Sequence, residues 1–68
     1  MHRFTIEQHV QANFAMAIDQ ADEYPTLDDA FDSYRINTVD SIREDGYSDE
    51  DADRGMWEFA CRADAHGQ

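Results

Sequence analysis

The residues able to do chemistry in this 68-residue chain are one cysteine, three histidines and sixteen carboxylates. Cys61 is the sole thiol, and as a nucleophile it needs an imidazole close enough to take its proton. His9 and His66 are the candidates, and only folding can bring either near. Its sequence neighbours Ala60 and Ala63 place Cys61 inside a helix among small residues, where a buried or half-buried structural thiol is the common case. His2, His9 and His66 are too scattered to assemble a metal site, and none stands in the His-Glu-x-x-His spacing of a metalloprotease helix. No phosphate loop, nucleophile elbow or carboxylate pair with distinct environments is present. The expectation is a protein that is not an enzyme, holds no cofactor or metal, and works by binding.

The stretch Ser48-Asp49-Glu50-Asp51-Ala52-Asp53 concentrates four acids in six residues and runs into Met56-Trp57-Glu58-Phe59, the largest apolar cluster. Asp49-x-Asp51-x-Asp53 has the opening of a calcium loop, but Arg54 stands where such a loop needs glycine and Ala60 where it needs a bidentate glutamate. An acid-rich helix start explains the run better, because the positive end of the peptide dipole favours carboxylates there.

Sixteen acids against five arginines, with no lysine, give a formal charge of −11. That density repels nucleic acid and anionic membranes, so direct binding to either is excluded. The hydrophobic content of 41%, with eight aromatic residues, argues against disorder, since that much apolar surface offsets chain entropy. One cysteine excludes an internal disulfide and leaves only a bridge between two copies. No segment has the apolar length of a signal peptide core or a membrane span, so a soluble, cytoplasmic protein is expected. A chain this short forms one domain, residues 1–68, with a core small enough that a homodimer packed through the last helix is the most available support.

The elements that position these groups are helices. Thr5 and Gln8 form a capping box, followed by Ile6, Val10, Asn13, Phe14, Ala17, Ala21 and Tyr24 at helical spacing, which predicts a first helix over 6–23 ending before Pro25. Thr26 caps a second helix with Asp28 and Asp29 in its first turn. On a continuous helix Ile36 lies opposite Leu27 among acids, so the reading is a break near Asn37-Thr38 and two short helices, 27–35 and 38–44. Gly46 is the left-handed stop, Ser48 opens the last helix, Gly67 closes it, and Ala52, Met56, Phe59 and Ala63 form its core stripe. The predicted fold is all-α, a compact bundle of three or four helices.

Trp57 lies about 100° round the last helix from Met56, at the border of the core stripe. It is read either as a lid across the core edge or as an anchor for a partner, in the company of Met16 and Ile18. The carboxylates likewise have two readings. Salt adaptation spreads them without any one patch mattering, whereas functional acids three or four positions apart on a helix, with Cβ atoms about 5–6 Å apart, imitate a nucleic-acid backbone.

In length, charge, helical pattern and lack of catalytic motifs, the whole chain resembles the small acidic DNA-mimic inhibitors of phages and mobile elements, the anti-CRISPR and antirestriction proteins. The resemblance implies inhibition of a bacterial defence complex by occupying the cationic DNA-binding or PAM-reading surface of a nuclease or Cas complex. The residues expected to bind are Asp49, Glu50, Asp51, Asp53 and Trp57, with Asp28, Asp29 and Asp32 as a second cluster. The alternative is an acidic interaction module or small dimeric regulator with a basic protein partner.

Overall fold

The computed structural model describes residues 1–66, and all regular structure in them is helical: α1 (Ile6–Asp19), a 3-10 turn (Ala21–Glu23), α2 (Leu27–Glu44) and α3 (Asp49–His66). Each α-helix starts where a hydroxyl can take an otherwise unpaired backbone N–H. Thr5 accepts from the Gln8 N–H at 3.1 Å while the Gln8 side chain accepts from the Thr5 N–H at 2.9 Å, completing the capping box. Thr26 accepts from the Asp29 N–H and Ser48 from the Asp51 N–H, both at 3.2 Å.

The helix ends also have local causes. Pro25 holds Tyr24 extended (φ −117°, ψ 152°), and the chain tightens into the 3-10 turn before it, so α1 stops at Asp19 rather than continuing to residue 23. At the end of α2, Gly46 takes φ 91°. The Gly46 N–H then bonds the Arg43 carbonyl and the Tyr47 N–H reaches back to Ile42, the paired pattern that closes a helix through a left-handed residue. Gly67 lies outside the described residues.

The expected break in the middle helix does not occur. α2 runs unbroken through Asn37 and Thr38, and Ile36 is left 60% exposed. The polar residues that suggested a break are satisfied inside the helix instead. The Thr38 hydroxyl donates to the Tyr34 carbonyl one turn back at 2.7 Å, and the Asn37 amide donates to Asn13 at 2.6 Å. Asn13, itself buried, donates to the His9 carbonyl at 2.8 Å, so the α1–α2 contact contains a connected polar chain. One exposed isoleucine is an ordinary surface feature, and its burial is not worth breaking a ladder of backbone hydrogen bonds.

Each of the three helices packs on the other two. Val10, Ala17, Phe31 and Phe59 form the core, with Phe14 stacked on Phe31 at 5.3 Å and Phe59 meeting both rings edge-on. α3 turns Ala52, Gly55 and Phe59 inward, and Met56 is only half-buried. Gly55 is required there because an added Cβ would overlap the Cδ1 of Ile42, a side chain with no exposed surface.

Two substitutions test this packing. Phe59→Ala is expected to cost about 3–5 kcal/mol in denaturant unfolding, as for other large buried aromatics. Gly55→Ala, which would gain roughly 1 kcal/mol in an isolated helix, is expected to destabilise the protein. Ile42→Val, which removes the obstructing methyl, should reduce the penalty of Gly55→Ala when the two are combined, and strictly additive effects would show that the contact does not set the requirement.

Candidate functional site

The acids expected to bind are on the surface, and they form two separate groups. Asp49, Glu50 and Asp51 occupy the first turn of α3 with Asp53 just beyond, and Arg43 at the end of α2 pairs with Asp49 at 3.1 Å. Asp28 and Asp29 occupy the first turn of α2, with Asp32 3.7 Å from Arg35. α2 and α3 run antiparallel, so these groups lie at opposite ends of the pair. From Asp32 to Arg43 the helix rise alone is roughly 17 Å, beyond the ~8 Å over which exposed charges act on one another at physiological salt. Asp64, distant in sequence from every acidic cluster, lines the same α2–α3 groove as Asp28 and Asp32 and belongs to the second group.

Trp57 does not lie across the core edge. Because α3 is centred on Gly55, the indole is carried outward and is 68% exposed. It stands between two shallow grooves, one lined by Arg54, Glu58, Cys61, Arg62 and Glu7 of α1, the other by Arg35, Met56 and Ala60. Three of the five arginines therefore flank the single tryptophan of a strongly acidic chain. Met16 and Ile18 are also partly exposed, at 40% and 38%, but Met16 lines a different groove with Ile36 and Tyr34.

Cys61 is exposed on the Trp57 side, contrary to the expectation of a structural thiol, since the same rotation of α3 turns it to solvent. No histidine lines its groove. The His66 ring packs against Phe14 and Phe31, and the His9 ring against Phe4 and Tyr47. Among the described residues no three potential ligands gather as a metal ion would need. Asp49, Asp51 and Asp53 are helical, and alternate residues of a helix project about 200° apart rather than toward a common centre.

The acid with the most specific environment is one the sequence reading passed over. Asp45, the C-cap of α2, is buried and accepts from the backbone N–H groups of Arg3 at 2.7 Å and Phe4 at 3.0 Å, while His9 Nε2 lies 2.8 Å from the same carboxylate. His2 Nδ1 meets the Asp45 carbonyl at 2.9 Å, its ring stacks on Tyr47 at 3.6 Å, and the Tyr47 hydroxyl donates to the Phe4 carbonyl at 2.6 Å. Residues 2–4 are thereby strapped across the α2–α3 turn. The Arg3 N–H above all, then His9 and the Phe4 N–H, hold the Asp45 carboxyl far below the ordinary carboxylate range against the opposing effect of its burial. Burial, then the charges of Asp45 and Asp51, push the Tyr47 hydroxyl above its ordinary range, which keeps it a donor. An aspartate beside a helix-ending glycine is the one local sign of this site, and its partners lie more than 35 positions away.

Compared with known proteins, the chain matches no protein-family model, no curated sequence and no solved structure.

The strap predicts a pH dependence whose sign follows from the depressed acid. A carboxyl lowered by folding contributes stability that is complete above its unfolded value near ~4 and is lost as pH falls below that toward the folded value. Protonating the other, mutually repelling acids acts in the opposite direction, so the parent alone does not isolate Asp45. The stability difference between the parent and Asp45→Asn should be largest at neutral pH and shrink progressively on acidification below ~4. A constant difference from neutral to acid pH would show that the charge of Asp45 is not what holds the strap.

Proposed function

We propose that this protein is an inhibitory binding protein whose carboxylate groups occupy a cationic protein surface that otherwise receives a DNA backbone. The observation that carries the reading is the state of its acids: of sixteen, four stand in ion pairs, and the others have no cationic partner among the described residues. The two acidic ends are fixed on capped helices of one packed bundle rather than on loops. With roughly 17 Å of helix rise between them, the two ends would meet different stretches of such a surface. Such an arrangement suits a groove that binds phosphates at intervals, and resemblance to acidic phage inhibitors makes a restriction or CRISPR nuclease complex the first class of target. Action inside a bacterial cell belongs to the same proposal. No helix among the described residues is long and apolar enough to cross a membrane.

A second reading is favoured by the exposure of Trp57: an interaction module that recognises a basic protein surface chiefly through an apolar anchor, without reference to DNA.

The two readings separate in a DNA-cleavage assay on defence nucleases with competing duplex present. Mimicry predicts inhibition that weakens with salt, is relieved by excess DNA, and falls at least tenfold when Asp49, Glu50, Asp51 and Asp53 become Asn or Gln. Asp45 must stay intact in that variant, and because Asp64 belongs to the second acidic end, it is neutralised with Asp28 and Asp32 rather than used as a control. Asp19 and Asp22, outside both groups, supply the control. Loss of binding on Trp57→Ala with the acidic variants unaffected would instead support the apolar module.

A further inference from the structure

α3 carries a row of charges at four-residue spacing, Glu50, Arg54, Glu58 and Arg62, that alternates in sign along its length. Residues four apart on a helix form a continuous ridge. Three members are exposed and Arg62 is half-buried beside Trp57. Glu-to-Arg spacing of this kind ordinarily suggests pairing within one helix. Yet none of these four side chains is ion-paired to another of the four. Arg62 makes only a loose 3.7 Å contact to an exposed Glu7, and among the described residues Arg54 has no carboxylate within ion-pair distance.

We propose that this ridge is a homodimer interface on which a second copy of the chain packs α3 antiparallel to α3, about a two-fold axis that crosses the ridge midway between Arg54 and Glu58, at the level of residue 56. Reversing an alternating row of four charges produces its complement. With the axis at position 56, Arg54 faces Glu58 of the second copy and Glu50 faces Arg62, and the symmetry makes each pair twice. Shifting the mate by one ridge step in either direction sets Glu against Glu and Arg against Arg, and a parallel two-fold pairing does the same at every position. The pattern therefore selects one direction and one register. Packing of one such ridge alongside another is the commonest way helices cross, at about −50°. Trp57, one residue from the axis, brings its exposed ring toward its mate, giving the apolar centre that the surrounding charges enclose.

Two features of the molecule favour a second copy over another occupant. The charge row complements itself residue by residue, a local match that acts against the general repulsion between two chains of net charge −11 each. The two-fold arrangement also places Asp28, Asp29 and Asp32, on α2, away from the contact. In this register the two Cys61 residues are roughly 15 Å apart along the helix direction, so a disulfide between copies is not what joins them.

Sedimentation equilibrium of the full chain across the micromolar range tests the interface. The parent should dimerise. Arg54→Glu and Glu58→Arg, each converting two attractive contacts into repulsive ones, should each weaken dimerisation roughly tenfold, and Trp57→Ala roughly a hundredfold. Combining Arg54→Glu with Glu58→Arg restores every opposite-charge contact in the proposed register and should recover the parent's affinity. All the altered side chains are exposed, and circular dichroism verifies that helix content is unchanged. A parent that stays monomeric overturns the proposal. So does a dimer indifferent to the single reversals, or a double reversal that fails to recover. Arg54 and Glu58 lie outside both acidic groups, so their reversals read the dimer without removing any of the proposed DNA-mimicking acids; Glu50, which belongs to both the interface and the first acidic group, is left unaltered.

Discussion

The close approach of α3 to α2 at Gly55 and Ile42 determines what this protein shows to its surroundings. A helix has one rotation about its axis, and the missing Cβ at Gly55 settles it by letting Ile42 occupy the space. With Gly55 inward, Ala52 and Phe59 follow into the core, Met56 moves to its border, and Trp57, Arg54 and Cys61 are carried outward. The exposed indole and the charged ridge beside it are thus products of one steric contact on the opposite side of the helix. Glycine in a helix interior is unfavourable by roughly 1 kcal/mol relative to alanine, and the closeness of packing it permits is what offsets that.

Asp45 shows how a single acid can differ from fifteen others of like charge. The exposed acids repel one another and act on the fold only through the ends of their own helices. Asp45 is withdrawn from water, but two backbone N–H groups and an imidazole replace the solvation it loses. This gives the residues before α1, which contain no long apolar stretch to bury, a hydrogen-bonded reason to lie across the α2–α3 turn. In a small domain, where core burial alone leaves a slender margin, such a polar fastening contributes directly to order at the chain end.

Local physics made much of the fold legible in the sequence. The caps at Thr5, Thr26 and Ser48 and the left-handed Gly46 are determined by neighbours a few residues away, and all four stand where their residue types require. The misreadings share another cause. The exposure of Ile36 on a continuous α2 follows from helix geometry, but inferring a break from it gave one apolar side chain more weight than the backbone ladder and the Asn13–Asn37 bond opposing it. The sequence marks Gly55 as a place of close approach and leaves Trp57 open between the core edge and the surface, but a stripe drawn through the larger Met56 does not show that Gly55 holds the centre, and it is the position of Ile42 that sends Trp57 and Cys61 outward. The role of Asp45 is not legible beyond its place beside Gly46, since its partners come from the other end of the chain. The acidic runs were visible at once, but their division into two ends, and the joining of Asp64 to one of them, required the antiparallel pairing of α2 and α3.

The acidic surface and the stability of the bundle are not independent. Glu7, Asp28, Asp29, Asp49, Glu50 and Asp51 all lie in first turns, where the helix dipole and unpaired N–H groups favour a negative charge by about 0.3–1 kcal/mol each at low salt. A chain carrying net charge −11 can therefore fold partly because its acids gather where helices begin. The same siting leaves the members on α2 and α3 in two patches at opposite ends of that helix pair, and between them lie Trp57 and three of the arginines, with Glu7 of α1 beside them. Asp53 is distinct within the first patch, lying past the opening turn where the dipole no longer supports it. Its presence is thus not explained by helix initiation.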